Sequence, residues 1–311
     1  MEKMKKIDMR CRPPVGSIAK TWFYGSNLDG FAHKFGGGTI PLSAKKKDLN
    51  MLIEEMKEEN MQGFACLRRN GNPNANRDIA QFLNEHGDMF YGAIGVDLYD
   101  MELVMSDIDE YVINGPFTAV NIEPDCPPAG HEDSYMYLDD ERISPIYQKC
   151  MDNNIPVTFT YGGPVFDVEF KNPVHLANVL NNFPNLRVCL MHGGWPFFNT
   201  YILGIAVANP NLFISADSYM LGLPGWRDYV DAANTLCPDQ ICFGTSYPLN
   251  SIQHVIDFYE KAGFRPEVMQ KVYYDNAARF LGLKAPDDRE PTEVELIGQA
   301  MVESAQLMAE D

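Results

Sequence analysis

Short apolar runs recur eight times along this chain, and stretches with helical character separate them. Strands that alternate with helices pair in parallel through right-handed crossovers. Eight such units predict an α/β fold that closes as a (β/α)8 TIM barrel rather than an open sheet. The predicted strands lie near 5–11, 62–68, 89–96, 117–123, 155–161, 185–192, 210–217 and 239–245. The predicted helices lie near 45–59, 74–86, 139–153, 173–182, 197–208, 226–236 and 251–262, with a shorter one near 106–113.

Two segments are longer than the connections of a minimal barrel. Residues 12–44 contain consecutive glycines and several aromatics, and residues 124–138 are rich in proline, acidic residues and tyrosine. We expect both to form long loops over the barrel mouth, where the βα loops build the active site. The barrel domain is predicted to span 1–285. A tail helix is predicted for 286–311, docked on the barrel or on a partner subunit, because its apolar residues recur with helical spacing.

The composition narrows the range of partners. A formal charge of −18 over 311 residues argues against nucleic acid or an anionic membrane surface. No apolar run is long enough to cross a bilayer, and the first residues lack the apolar core of a signal peptide. The seven cysteines are scattered without a Cys-x-x-Cys pair, which is typical of reduced thiols. These features predict a cytoplasmic protein.

Arginines stand at the end of the first predicted strand. Arg10 and Arg12 share a direction, because residues i and i+2 of a strand point the same way. Two neighbouring guanidiniums are costly to bury unless they face an anion or acidic side chains. The planar fork of arginine suits a carboxylate, so one interpretation is an anion clamp, with Arg68 from the second strand. The other is that the arginines form salt bridges with acidic residues.

Other strand ends carry candidates for proton transfer. His192 ends the sixth predicted strand and precedes two glycines, which let the backbone approach a ligand closely. An unperturbed imidazole titrates near neutrality, so His192 is a candidate general base. Glu123 and Asp217 end the fourth and seventh strands. Either carboxylate is a candidate to assist His192 or to neutralise the arginines.

Several segments carry a resemblance that extends over nearly the whole chain. They are Ile7-Asp8-Met9-Arg10-Cys11-Arg12, Leu138-Asp139-Asp140-Glu141-Arg142, Ile155-Pro156-Val157-Thr158-Phe159-Thr160, Met191-His192-Gly193-Gly194, Phe243-Gly244-Thr245-Ser246-Tyr247-Pro248 and Tyr274-Asp275-Asn276-Ala277-Ala278-Arg279-Phe280-Leu281. In this order and spacing they resemble the amidohydrolase-related family of (β/α)8 enzymes, which includes decarboxylases, hydratases and lactonases. The resemblance also implies a homo-oligomer.

The chain departs from the family at the metal ligands. The family's first strand normally ends in Asp-x-His-x-His, and both histidine positions hold arginine here, at Arg10 and Arg12. The histidine of the fifth strand is Thr160, and the aspartate of the eighth is Ser246. Only His192 matches a family histidine. Because a catalytic zinc site needs about three protein ligands, we expect no metal and no other cofactor.

The resemblance and these departures together predict a hydrolase that acts without metal on a small carboxylated substrate, a lactone or an ester. A serine nucleophile lacks support because the chain has no Gly-x-Ser-x-Gly elbow. The alternatives are a non-oxidative decarboxylase or hydratase, or an inactive barrel that binds anions. The predicted catalytic residues are His192, Glu123, Asp217 and Ser246. The predicted substrate-binding residues are Arg10, Arg12, Arg68, Thr160, Tyr161 and Tyr247.

Overall fold

A computed structural model of the chain describes most of its residues. The described residues are 3–25, 28–34, 38–66, 74–124, 136–163, 168–283 and 300. Arg68, most of the predicted 124–138 loop and, apart from residue 300, the predicted tail helix lie outside them. Among the described helices, none has the length and apolar character that a membrane span requires.

Seven parallel strands form one sheet in which each strand pairs with the next along the chain. The order and the parallel pairing confirm the α/β barrel. The strands are β1 (Lys6–Cys11), β2 (Met61–Cys66), β3 (Phe90–Gly95), β4 (Ala119–Ile122), β5 (Val157–Thr160), β6 (Val188–Met191) and β7 (Leu212–Ser215).

The predicted eighth strand is reduced to a single bridge that nearly closes the barrel. Ile241 pairs in parallel with Ile214 of β7, and the Phe243 carbonyl accepts from the Met9 amide of β1 at 3.0 Å. The Phe243 amide instead donates to the Val272 carbonyl at 2.9 Å. Since this backbone donor is satisfied outside the sheet, the segment does not continue as a regular strand.

Helices surround the sheet where the chain alternation predicts them. The α-helices are α1 (Leu28–Lys34), α2 (Leu42–Lys46), α3 (Leu49–Glu58), α4 (Ala75–His86), α5 (Met101–Asp107), α6 (Ser144–Asp152), α7 (Pro173–Asn182), α8 (Asn199–Ala208), α9 (Trp226–Asn234), α10 (Ile252–Lys261), α11 (Pro266–Gln270) and α12 (Asn276–Phe280). A π-helical turn, Ile108–Ile113, continues α5, so the helix predicted near 106–113 begins earlier than expected.

The segment after β1 is more ordered than the predicted loop. It contains 3-10 turns at Ile18–Lys20 and Trp22–Tyr24 before α1 and α2. The single helix predicted near 45–59 is two helices, because Lys47 adopts a left-handed backbone with φ of 52°. Asp48 then caps α3 by accepting from the Met51 amide at 3.1 Å.

The inside of the barrel is packed with apolar side chains. Phe280 of α12 meets Phe64 and Phe213 with ring centroids 6.3 Å and 5.7 Å apart. Met9 belongs to this inner cluster, whereas Cys11 packs with the outer helices. The pairing of β1 with β2 shifts in register between Asp8 and Cys11, so the side chains at the end of β1 do not continue the alternation of its first residues. Polar side chains are thereby left at the carboxyl ends of the strands, where barrel enzymes place their sites.

Candidate active site

Arg10 lies between the carboxyl ends of β5 and β6. Its Nη2 atom is 3.4 Å from the Nε2 atom of His192 and 3.5 Å from the hydroxyl oxygen of Thr160. Only 4% of the residue is exposed. Its Nε atom is buried and has no hydrogen-bond partner among the described residues. A buried cation with an unused donor has therefore been placed next to an imidazole.

Arg12 is held through both its backbone and its side chain. Its amide donates to the Tyr247 carbonyl at 3.1 Å, and its carbonyl accepts a hydrogen bond from the hydroxyl of Tyr24. The guanidinium carbon lies 4.0 Å from the centre of the Phe23 ring. Burial, reinforced by the positive charge of Arg10, lowers the pKa of the Arg12 guanidinium to about 9. The group is still a cation at neutral pH.

The two guanidiniums form no ion pair with a carboxylate in the part of the chain that the structure describes. The Nη1 atom of Arg12, like the Nε atom of Arg10, is buried without a described partner. An unsatisfied buried donor costs about 1–3 kcal/mol, and more when it is charged. This favours the anion clamp over the salt-bridge interpretation, because a bound anion would satisfy both donors.

His192 is oriented by Asp217. The Nδ1 atom of His192 lies 2.7 Å from Oδ2 of Asp217, and the His192 amide donates to the same oxygen at 3.1 Å. Because an ionised carboxylate only accepts, Nδ1 carries the proton and the lone pair of Nε2 faces Arg10. Burial and the charges of Arg10 and Arg12 lower the pKa of His192, although Asp217 opposes the shift. The imidazole is therefore a neutral base at pH 7.

Asp217 is a fully buried carboxylate, and both of its oxygens accept hydrogen bonds. Its Oδ1 atom accepts from the amide of Ser218 at 2.6 Å and from the hydroxyl of Ser246 at 2.7 Å. Burial alone would raise its pKa, but His192, Arg10 and the Ser246 hydroxyl outweigh burial and lower it to about 2. The carboxylate is thus fixed in position and in charge.

Three residues of this cluster have strained backbones. His192, Asp217 and Ser246 have φ values of 73°, 43° and 57°, in the left-handed region that non-glycine residues rarely adopt. Each such residue costs on the order of 1–3 kcal/mol and persists only where its surroundings enforce it. The hydrogen bonds from His192 and Ser246 to Asp217 provide that enforcement.

Glu123 lies on the other side of Arg10. Its Oε1 atom accepts from the hydroxyl of Thr160 at 2.5 Å and from the side-chain amide of Asn121 at 3.1 Å. Thr160 therefore links Glu123 to Arg10. Of the two carboxylates considered from the sequence, the structure brings Asp217, and not Glu123, against His192.

Two of the predicted substrate-binding residues are tyrosines whose hydroxyls bond to other parts of the protein. The hydroxyl of Tyr161 donates to the Asn172 carbonyl at 2.5 Å, and that of Tyr247 donates to the Ser43 hydroxyl at 3.0 Å. A buried hydroxyl takes a protein partner where one is available. Both side chains are almost completely buried, so the structure does not bring either hydroxyl to the arginine pair. Tyr247 instead holds the backbone of Arg12.

Three residues that shape the site were not among those predicted from the sequence: Tyr219, Phe23 and Asp8. Tyr219 meets His192 edge to face at 4.9 Å and stacks on Trp195 at 4.5 Å. Phe23 lies against Arg12. The carboxylate of Asp8 accepts a hydrogen bond from the amide of Arg10 at 3.0 Å. It also accepts hydrogen bonds from the amide and the hydroxyl of Thr245. Only Asp8 stood in a motif from which a site could have been suspected.

Comparison with known proteins decides the family. The model of the family described as Amidohydrolase matches residues 55–283. This chain belongs to the amidohydrolase family. Among curated proteins, no sequence matches it significantly.

Solved structures place this amidohydrolase among known barrels. The uncharacterised TIM-barrel protein Bb4693 from Bordetella bronchiseptica is 30% identical, with a TM-score of 0.79 over 90% of this chain and 99% of that one. A dihydroxybenzoic acid decarboxylase from Polaromonas sp. JS666, with bound manganese and the inhibitor 2-nitroresorcinol, is 15% identical. Its TM-score is 0.64, and the match covers 92% of this chain and 99% of that one. A probable 2-pyrone-4,6-dicarboxylic acid hydrolase from Acinetobacter baumannii, with citric acid bound, is 12% identical. Its TM-score is 0.59, and the match covers 90% of this chain and 100% of that one. The last two share the fold.

The side chains of this amidohydrolase do not fit a divalent metal at the mouth of the barrel. Arg10, Arg12, Thr160 and Ser246 stand where the family resemblance implies ligands, and the Nε2 atom of His192 faces a guanidinium. Across the described ranges, no group of three His, Cys, Asp or Glu side chains is arranged to hold a metal ion. A catalytic zinc needs about that many ligands. The described side chains therefore do not form such a site.

Proposed function

We propose that this amidohydrolase is a metal-independent hydrolase that acts on a small carboxylated lactone or ester. The observation that carries the proposal is the 3.4 Å separation between Nη2 of Arg10 and Nε2 of His192. An anion receptor and a neutral base are adjacent there. Nη2 of Arg10 points at the lone pair of Nε2. A substrate carboxylate that accepts the Nη2–H donor of Arg10 would free this lone pair for a water molecule next to the ester carbonyl.

The reaction that fits this arrangement is general-base hydrolysis. Nε2 of His192 takes a proton from water, and the resulting oxygen attacks the carbonyl carbon. The bond between that carbon and the leaving oxygen then breaks, and the imidazolium returns the proton to the leaving alkoxide. Asp217 stabilises the imidazolium through Nδ1. The guanidiniums of Arg10 and Arg12 place positive charge beside the developing oxyanion, where it stabilises the transition state.

Two further residues complete the proposed assignment. Thr160 lies between Arg10 and Glu123 and would hold the guanidinium toward the substrate. Ser246 donates to Asp217 and would act by fixing that carboxylate, not as a nucleophile. We propose that Glu123 balances the charge of the arginine pair.

The substrate class has support from the chemistry of the site and from the fold. The relative from Acinetobacter baumannii is named as a probable hydrolase of a pyrone dicarboxylic acid, which is a cyclic ester with carboxylates, and citric acid is bound to it. A lactone that carries a carboxylate therefore matches both the unpartnered guanidinium donors here and the substrate for which that relative is named.

Product analysis tests the proposal. The protein is incubated with a panel of carboxylated lactones, with their methyl esters as neutral controls, and with aromatic carboxylic acids, while acid and CO2 release are measured. We expect acid release from the carboxylated lactones, slower reaction of the neutral controls and no CO2. Release of CO2 would instead identify a decarboxylase. Thermal stabilisation by the acids without any product would identify an anion-binding barrel.

A further inference from the structure

The arginine pair is supported from the loop side by an aromatic turn that no catalytic step uses. The 3-10 turn Trp22–Tyr24 comes after β1 in the chain and contacts Arg12, the residue that follows that strand. The hydroxyl of Tyr24 donates a hydrogen bond to the carbonyl of Arg12. The guanidinium carbon Cζ of Arg12 lies over the ring of Phe23, 4.0 Å from its centre. The backbone and the side-chain end of Arg12 are thus held by adjacent residues.

The support of a buried arginine by a ring has a specific electrostatic consequence. An aspartate or glutamate in the same place would accept hydrogen bonds from the guanidinium and cancel its charge. The face of a phenylalanine ring attracts the cation but accepts no N–H hydrogen bond in the guanidinium plane. The Nη1 atom of Arg12, which has no partner among the described residues, therefore keeps its donor and its charge for a ligand.

Support from the ring matters because the Nη1 atom of Arg12 has no hydrogen-bond partner among the described residues. An arginine side chain has about 2 kcal/mol of rotamer entropy, which a ligand must otherwise restrict when it binds. The Phe23 ring restricts it in advance. Pro13 follows Arg12 and limits its backbone to extended conformations, so the side chain also leaves the chain in a defined direction.

We infer that Phe23 is a positioning residue that makes the site selective for carboxylates, by holding the Arg12 guanidinium over its ring while leaving the Nη1 donor to bind an anion. The inference rests on the proposed anion-binding role of the arginine pair. Phe23 does not touch the reacting atoms. Its effect is exerted on the charged end of the ligand.

Binding of a charged probe and its neutral counterpart tests the inference. Benzoate and benzamide have the same shape, and their affinities are measured by calorimetry for the unsubstituted protein and for Phe23→Leu, Phe23→Tyr and Phe197→Leu. Phe23→Leu keeps an apolar group but removes the ring. Phe197→Leu makes the same exchange at an exposed phenylalanine, 54% accessible, that packs against its neighbour Phe198.

We expect the unsubstituted protein to prefer benzoate to benzamide at least tenfold. In Phe23→Leu the affinity for benzoate should fall roughly 2- to 30-fold, the range of a cation–π contact, while that for benzamide stays unchanged. Phe23→Tyr keeps the ring and should bind like the unsubstituted protein, as should Phe197→Leu. Phe23→Met replaces the leucine variant if the latter does not fold.

The outcomes separate this inference from the proposed function. If the unsubstituted protein does not distinguish benzoate from benzamide, the anion site fails and both proposals fail together. If it does, and Phe23→Leu keeps the full preference, only the role of Phe23 is overturned. Equal loss of both probes in Phe23→Leu shows a general packing role and also overturns it. As a ligand-free check, the Arg12 Nε–H proton should lose its ring-current shift in Phe23→Leu and keep it in Phe23→Tyr.

Discussion

The Nη2 atom of Arg10, which is buried, lies 3.4 Å from the Nε2 atom of the partly buried His192 at the mouth of the barrel. The cation depresses the proton affinity of the base, because burial and nearby positive charge both lower the pKa of His192. The same cation has an unused donor for a carboxylate. Substrate binding and base strength are therefore properties of one pair of residues.

Replacing Arg10 should weaken the binding of carboxylated substrates. In Arg10→Ala we expect KM for a carboxylated lactone to rise about 10- to 100-fold, since a hydrogen bond to a charged group contributes about 1.5–3 kcal/mol. The neutral methyl ester, as control, should show little change in KM. An unchanged KM for the carboxylated substrate would count against the clamp.

The pH dependence of kcat/KM should report a weakened base. The groups that face His192 are Asp217, Arg10, Arg12 and the ring edge of Tyr219, and the net effect is a pKa below the ordinary 6.5. His192 thus stays unprotonated as the pH falls through 6.5, and kcat/KM should decline only below that value. In Arg10→Gln the decline should begin at higher pH. A rate profile that already halves above pH 7 is incompatible with this assignment.

Asp217 should act through His192. In Asp217→Asn the neutral amide cannot stabilise an imidazolium, and its NH2 group can donate to Nδ1 and favour the wrong tautomer, so we expect kcat to fall roughly 10²- to 10⁴-fold. KM should change much less, since Asp217 is fully buried and would act only through His192. Thermal unfolding of the variant serves as the control for folding. A kcat within a factor of a few of the unsubstituted protein would exclude the role.

Ser246 should prove to be a support and not a nucleophile. Its hydroxyl donates to Asp217 at 2.7 Å and lies 2.8 Å from that of Ser218. We therefore expect Ser246→Ala to keep kcat within about tenfold, the value of one hydrogen bond of about 1 kcal/mol. Ser218→Ala, measured in parallel, should behave similarly. Complete loss of turnover with Ser246→Ala alone, in a folded protein, would point to covalent catalysis instead.

Removal of metal ions should leave the activity intact. The positions at the end of β1 hold arginine, and positive side chains repel a divalent cation. We expect elemental analysis of the purified protein to show no stoichiometric transition metal. Treatment with a chelator should not change kcat/KM, and added manganese or zinc should not increase it. One tightly bound metal ion per chain, lost together with activity, would overturn the proposal.

Much of the fold follows from local sequence. Parallel strands buried on both faces show as short apolar runs, and the alternation with helices leaves a barrel as the consistent arrangement. The helix near 45–59 and the eighth strand were less predictable. The first breaks because Lys47 adopts a left-handed backbone, and the second is short because the Phe243 amide bonds to Val272. Both depend on contacts that local patterns do not contain.

The sequence by itself determined that arginines stand where this family resemblance implies metal ligands, and that Arg10, Arg12, His192 and Asp217 end or follow strands. Because parallel strands of a barrel end at one rim, that was sufficient to predict a shared site. Only the tertiary structure decided that Asp217 rather than Glu123 meets His192. It also decided that Phe23 supports Arg12. Both outcomes depend on differences of a few ångströms in where a side chain lies. Such distances are set by packing between segments that are far apart in the chain.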